Sequence, residues 1–201
     1  MGLLGIPTRK SNTGYKNNNY SNANAVGNLI RYITRTREYE TRADSLIAYG
    51  AVGCGYCLSP EDIIQQLCYI QEAYGINSRK GRRMYHEVFN LYDSETVQLN
   101  YDSEQLWKIG MECCQVYYQC GFQAVFAVHW EESKRYHIHF AVSTINYLDG
   151  RKWHTSLPEI KKREEIFNLI LQKHQGLMSG RPVVFFYEKK EGKERYGGCM
   201  I

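Results

Sequence analysis

Three histidines within eleven residues, His129, His137 and His139, are the part of this chain best suited to chemistry. Side chains alternate between the two faces of a β-strand, so the i, i+2 spacing of His137 and His139 sets both imidazoles on one face, roughly 7 Å apart. Ile138 and Phe140 then face the other way, into a core. If the apolar run Phe122 to His129 pairs antiparallel with Tyr136 to Ile145 so that His129 lies opposite His137, then Ala127 falls opposite His139 and the parity closes. Phe126 and Val128 then share the buried face with Ile138 and Phe140. Three imidazoles converge at one hairpin end, and neutral imidazole is a good ligand for Mn, Zn, Ni and other divalent ions. A bare His-x-His pair is commonly polar surface; the third, parity-consistent histidine turns the pattern toward a metal site.

These strands need helices to cover them, and the sequence supplies four. Val26, Leu29, Ile30 and Ile33 form one helical stripe within Ala25 to Thr36. Ser59 is an N-cap with Pro60 at the first helical position and Glu61 and Asp62 behind it, and Gly75 closes that helix. A third helix runs from Ser103 to Gly121, and a fourth from Pro158 to His174 with Gly176 as its stop. Tyr85 to Tyr92 is a further strand, Asn146 to Gly150 is a turn, and Arg151 to Thr155 and Val183 to Tyr187 are short strand candidates. Helices interrupting a hairpin-rich strand set predict an α+β fold, an antiparallel sheet with helices packed on its face. Residues 7–25 are rich in Asn, Ser and Gly without apolar period, so 1–23 read as a flexible basic arm beside a single domain over 24–201.

A length of 201 residues suits one domain and excludes a multidomain machine. With 43% hydrophobic and 23% charged residues, the chain buries a core and is not disordered as a whole. Its longest strongly apolar stretch, Gly121 to Trp130, is about half of the ~20 residues a membrane-spanning helix needs. The first residues lack the charged region of a signal peptide, so the expectation is a cytoplasmic protein without membrane insertion. Seven cysteines, including Cys113-Cys114, make a poor disulfide framework, and most are expected as reduced thiols. Cys54-x-x-Cys57 lacks a second close pair at zinc spacing, and Cys68, Cys114 and Cys120 read as buried thiols on helices. Residues 1–43 hold seven Lys/Arg against two acids, so they carry the whole positive excess and suit a polyanion. The 17 tyrosines offer rings on which unpaired bases stack. Lys161-Lys162-Arg163 beside Glu164-Glu165 reads as a solvated helix face.

His129, seven intervening residues, then His137-Ile138-His139-Phe140 and the turn with Asp149-Gly150, resembles the three-histidine motif of plasmid mobilisation nucleases, the relaxases of the HUH endonuclease superfamily. Upstream, Arg83-Met84-Tyr85-His86-Glu87-Val88-Phe89-Asn90 resembles that family's second motif; where the family often ends in Ser-Phe, this chain has Asn90-Leu91. Asn28-Leu29-Ile30-Arg31-Tyr32-Ile33 is similar to the segment carrying the family's tyrosine nucleophile. The resemblance spans about residues 24–157 and implies a relaxase-like domain that nicks and rejoins single-stranded DNA at a transfer origin. It implies His129, His137 and His139 as ligands of a divalent ion, Mn or Mg, and Tyr32 as the residue that becomes a phosphotyrosine ester. Arg31, Arg35 and Arg37 are the expected phosphate contacts, with Asn90 a further DNA contact. Glu87, His86 and His154 are the candidates for the base that takes the phenol proton. Accessory relaxosome proteins and a coupling protein in a bacterial cytoplasm complete the implied setting.

Those residue types match the reaction's needs. Phosphodiester cleavage requires an in-line nucleophile, neutralisation of the non-bridging oxygens and a held scissile phosphate; a His-held ion serves the last two. A tyrosine nucleophile stores the broken bond as an ester, so the step reverses without external energy. Two rival readings stand beside this one. A rolling-circle replication initiator would promote Tyr187 or Tyr196, and a nucleic-acid-binding module would keep the histidines for structure alone.

Overall fold

The computed structural model describes residues 2–11, 14–17, 20–36, 44–55, 59–78, 80–91, 103–131 and 136–179. Five strands form the main sheet: β1 (Leu3–Gly5), β4 (Ser45–Val52), β5 (Met84–Asn90), β6 (Phe122–Trp130) and β7 (Tyr136–Asn146). Their order is β1-β5-β7-β6-β4 with every neighbouring pair antiparallel. A separate hairpin joins β2 (Thr8–Ser11) to β3 (Gly14–Asn17), Arg9 lying opposite Lys16. The fold is the expected α+β domain with an antiparallel sheet, and its helices cover both faces.

On one face lie α1 (Ala25–Thr34) and α2 (Pro60–Ala73). The α1 stripe of Val26, Leu29, Ile30 and Ile33 is fully buried against Met84, Val125, Ala127 and Ala141 of the sheet. Helix α2 begins as its sequence dictates: the Ser59 hydroxyl accepts from the Asp62 N–H while the Asp62 carboxylate accepts from the Ser59 N–H, closing a capping box ahead of Pro60. The opposite face packs α3 (Ser103–Gln119) and α4 (Leu157–Ser179) over Phe126, Val128, Ile138, Phe140 and Val142. Gly110 of α3 and Gly50 of β4 make room for the Phe126 ring; a Cβ at Gly50 would stand 2.7 Å from its Cε1. The Asn146–Gly150 turn is built as expected, with the Asn146 carboxamide accepting from the Leu148 N–H at 2.9 Å and Gly150 at φ +71°.

Several expectations need correction. The sequence pattern predicts no strand at the N-terminus or between α1 and α2, yet β1 and β4 are the two edges of the sheet. Within the stretch read as an arm, β1 is tied down by side chains of α4: the Gly2 N–H donates to Asn168 Oδ1 at 2.6 Å and the Leu4 N–H to Glu164 Oε2 at 2.8 Å. A Cβ at residue 2 would stand only 2.3 Å from Phe89 Cζ. The β2–β3 hairpin has Tyr15 as its single large apolar side chain, so its pairing leaves no apolar alternation to read. Arg151 to Thr155 supplies only one bridge, Ile145 with Lys152, and Val183 to Tyr187 lies outside the described residues. Helix α4 continues through Gly176, a position that weakens a helix by only about 1 kcal/mol. Arg163 is not on a solvated face: it shares the buried stripe with Ile160, Phe167 and Ile170. Cys54, Cys68, Cys113 and Cys114 are free thiols, whereas Cys120, read as a buried thiol, is disulfide-bonded. Among the described residues no helix is long and apolar enough to cross a membrane.

Candidate metal centre

The β6–β7 register is the one parity requires: His129 pairs with His137 and Ala127 with His139. Strand β5 adds a fourth imidazole, because Val88 pairs with His139 and His86 with Ala141, which puts His86, Val88 and Asn90 on the histidine face. That face lies beneath α1, so these imidazoles are buried rather than exposed on an open strand surface. Ring centroids stand 4.5 Å apart for His129 and His139, 4.6 Å for His137 and His139, 5.2 Å for His129 and His137, and 5.0 Å for His86 and His139.

An acid joins them that the sequence did not single out. Asp44 immediately precedes β4, whose Leu46 pairs with His129, and its Oδ2 lies 3.1 Å from His129 Nδ1 and 3.9 Å from His137 Nε2. One donor atom each from Asp44, His129, His137 and His139 lie within 4.8 Å of one another. A lone acid ending a basic segment is a weak signal, and it becomes legible only once SLIAYGAV is taken as the strand beside β6. No cysteine belongs to this group among the described residues.

Hydrogen bonds orient the rings. His129 Nε2–H donates to the Ile33 carbonyl at 2.6 Å, an assignment that leaves Nδ1 as a lone pair turned toward Asp44. Arg35 ends α1 in the left-handed conformation at φ 52°. Its Nη2 donates to His129 Nδ1 at 2.9 Å and to the Asp44 carboxylate. His86 Nε2 lies 2.8 Å from His139 Nδ1, and His86 Nδ1 lies 3.1 Å from the Tyr20 hydroxyl. Two buried nitrogens, His137 Nδ1 and His139 Nε2, make no hydrogen bond, although Glu131 Oε1 stands 3.4 Å from the former. A buried imidazole nitrogen without a partner, in a group that also holds the Asp44 carboxylate, is what a divalent cation fits.

The electrostatics keep these groups in their ligating forms. Burial, followed by repulsion from Arg35, pushes His129 down to about 4; burial and the neighbouring imidazoles push His86 down to about 3. His137 and His139 are lowered too, burial being the main cause. Burial works the other way on Asp44, but the hydrogen bond and charge of Arg35 outweigh it and hold the carboxyl below its ordinary value. Neutral imidazoles beside an ionised carboxylate form a ready donor set.

Tyr32 reaches this cluster from α1. Its half-buried ring meets His86 and His139 edge-on with centroids 5.8 Å away in each case, and the Arg35 guanidinium lies 4.8 Å over it. The remaining sequence candidates divide. Arg35 is inside the cluster, whereas Arg31 is bidentate to Glu61 of α2 at 2.9 Å for both bonds. Asn90 is exposed at the end of β5, opposite His137. Glu87 is a correction: as His86's neighbour it points to the opposite face, where Arg163 and Tyr117 hold it, and it cannot reach the Tyr32 hydroxyl through the sheet. His154 is exposed and stands outside the cluster. Arg37, Tyr187 and Tyr196 lie outside the described residues.

A family model, relaxase of the MobA/VirD2-like type, nuclease domain, matches residues 32–176, a span that opens at Tyr32 and holds all three clustered histidines and Asp44. No curated protein matches the chain. The antiparallel sheet is consistent with that match, and the chain belongs to the MobA/VirD2-like relaxases as a DNA-nicking nuclease domain.

Proposed function

We propose that this domain nicks and rejoins single-stranded DNA at a transfer origin through a covalent bond to Tyr32, with a divalent ion, Mn or Mg, held by His129, His137, His139 and Asp44. The observation that carries this reading is the approach of the Tyr32 ring to His139, whose buried Nε2 has no hydrogen-bond partner. The donor set fits such an ion: three neutral imidazoles and a carboxylate give net charge −1, and His139 Nε2 makes no hydrogen bond. When bound, the ion supplies Lewis-acid neutralisation of the phosphate oxygens.

The protein's own residues do the rest. Tyr32 loses its phenol proton to a base, its oxygen bonds to phosphorus, and the phosphorus bond to the departing strand's oxygen breaks as that oxygen takes a proton. The ester keeps the energy of the broken bond, so the departing strand's hydroxyl restores the phosphodiester by the reverse path. Arg35 places a fixed positive charge beside the phenolate that develops, and Asn90 marks where the strand leaves the cluster along β5. Docking of accessory proteins and a coupling protein belongs to the same reading.

The test is a covalent adduct. Incubation with Mn and single-stranded oligonucleotides tiled across the transfer-origin region should give a protein–DNA species stable to denaturant, mapped by mass spectrometry to Tyr32. Tyr32→Phe should abolish it while Mn and DNA binding persist. An adduct that survives in Tyr32→Phe and maps to Tyr187 or Tyr196 would replace this reading with the replication-initiator one.

A further inference from the structure

Behind His139 runs a chain of side chains to which the proposed cleavage steps assign no role. The Tyr20 hydroxyl lies 3.1 Å from His86 Nδ1, His86 Nε2 lies 2.8 Å from His139 Nδ1, and His139 Nε2 is buried without a partner. The Tyr20 and His86 rings meet edge-on with centroids 5.9 Å apart. Tyr20 is itself fixed from the backbone, its carbonyl accepting from the Arg83 N–H at 2.6 Å, one residue ahead of β5.

A bond between two imidazole nitrogens admits one proton, so the chain has two arrangements. In the first, His86 Nε2–H donates to His139 Nδ1 and the Tyr20 hydroxyl donates to His86 Nδ1. His139 must then carry its own proton on Nε2, a buried donor with no acceptor and no lone pair for a cation. In the second, His139 Nδ1–H donates to His86 Nε2, and His86 Nδ1–H donates to the Tyr20 oxygen. Both ring protons in that chain have acceptors, and His139 Nε2 presents a lone pair toward His129 and His137. The second arrangement avoids the orphaned N–H and produces a ligand.

We infer that His86 is a positioning residue for the metal centre: it accepts the Nδ1 proton of His139, and Tyr20 anchors it, so that His139 is held in the tautomer whose Nε2 binds a divalent cation. This inference rests on the metal reading above and deepens it, since His86 itself contributes no ligand atom to the cluster. It assigns the second-motif histidine a task and brings Tyr20, from the segment ahead of α1, into the support of the site.

Two measurements test it without cleavage. Long-range proton–nitrogen NMR of the metal-free full chain should show His139 protonated at Nδ1; a His139 protonated at Nε2 overturns the inference regardless of how any variant folds. Calorimetric titration with Mn then ranks the variants. His86→Leu should weaken Mn binding by about 10- to 100-fold with the thermal midpoint near that of the parent chain. His86→Gln, whose amide oxygen can still accept from His139 Nδ1–H, should stay within a few-fold, and Tyr20→Phe should cost only a few-fold. His139→Ala separates the two claims. If it abolishes Mn binding while a folded His86→Leu binds as tightly as the parent, the metal site stands and the positioning role falls. If Mn binding survives His139→Ala, the metal reading falls and the inference with it.

Discussion

His86 and Glu87 are neighbours in the chain, and the sheet sends them to opposite faces with opposite outcomes. Beneath α1, His86 joins a polar group in which two buried imidazole nitrogens are left without hydrogen bonds. Beneath α4, Glu87 is buried as deeply but fully matched: Arg163 Nη2 donates at 2.5 Å and Nε at 3.2 Å, and the Tyr117 hydroxyl donates at 2.9 Å. The Arg163 Nη2 also donates to Thr155 Oγ1 at 2.7 Å, tying α4 to the strand and to the loop before it. Burial alone therefore does not mark a working site. A matched ion pair fixes where a helix sits, whereas an assembly of unmatched lone pairs is held open for something to bind.

The strongest way to break this contrast is to remove the matched acid. Glu87→Ala strands the Arg163 guanidinium in the core, and the unfolding free energy measured by urea denaturation should fall by about 3–5 kcal/mol. Mn affinity of the folded fraction should stay within a few-fold of the parent, because Glu87 faces away from every clustered histidine. A loss of Mn binding with little loss of stability would mean that the two faces are not separate in function.

This contrast was only half visible in the sequence. Parity settled the β6–β7 hairpin because both strands lie close in the chain and carry the histidines themselves. It did not place Glu87, since β5 reaches β7 only after α3 and β6 have intervened, and no local spacing sets that register. Once Val88 is known to pair with His139, alternation puts Glu87 on the far face at once. Asp44 was hidden for a related reason: β4 contains Gly50, a residue that reads as a break but is required by the Phe126 ring. Arg163 was hidden by its company, two lysines before it and two glutamates after it, although its place three residues after Ile160 and four before Phe167 is that of the buried stripe. Helix α2 was legible to the residue at its start because its cap is written in adjacent side chains.

Acid should separate the faces by a smaller margin. A histidine in the unfolded chain titrates near 6.5, while His86 and His129 are pushed down to about 3 and about 4 in the fold. Between those values the unfolded chain binds more protons, so stability is complete above pH 6.5 and is lost as the pH falls toward the folded values. These two groups alone, at about 1.4 kcal/mol per unit each, give a loss of about 2 kcal/mol between pH 6 and pH 5, and the lowered His137 and His139 add to it in the same direction. Denaturant titrations with chelator present check the slope. His86→Gln should flatten it by removing one of the four buried histidines that share the response, and changes on the Glu87 face should leave it alone; an unchanged slope in His86→Gln would show that the acid response comes from elsewhere.

The finest probe is a single hydroxyl on the matched face. Burial and the adjacent Glu87 push the Tyr117 phenol well above its ordinary value, so it stays a proton donor to the carboxylate. Tyr117→Phe removes that donor but keeps the ring packed against Phe140, Trp153 and Phe167. Arg163 still satisfies both carboxylate oxygens, so no charge is stranded and the cost should be about 1.5 kcal/mol, the low end for a hydrogen bond to a charged group. Thermal or urea unfolding measures it. A cost as large as that of Glu87→Ala would mean that Tyr117, not Arg163, is the principal partner of the buried acid; a cost near zero would mean that the ion pair alone secures α4 to β5.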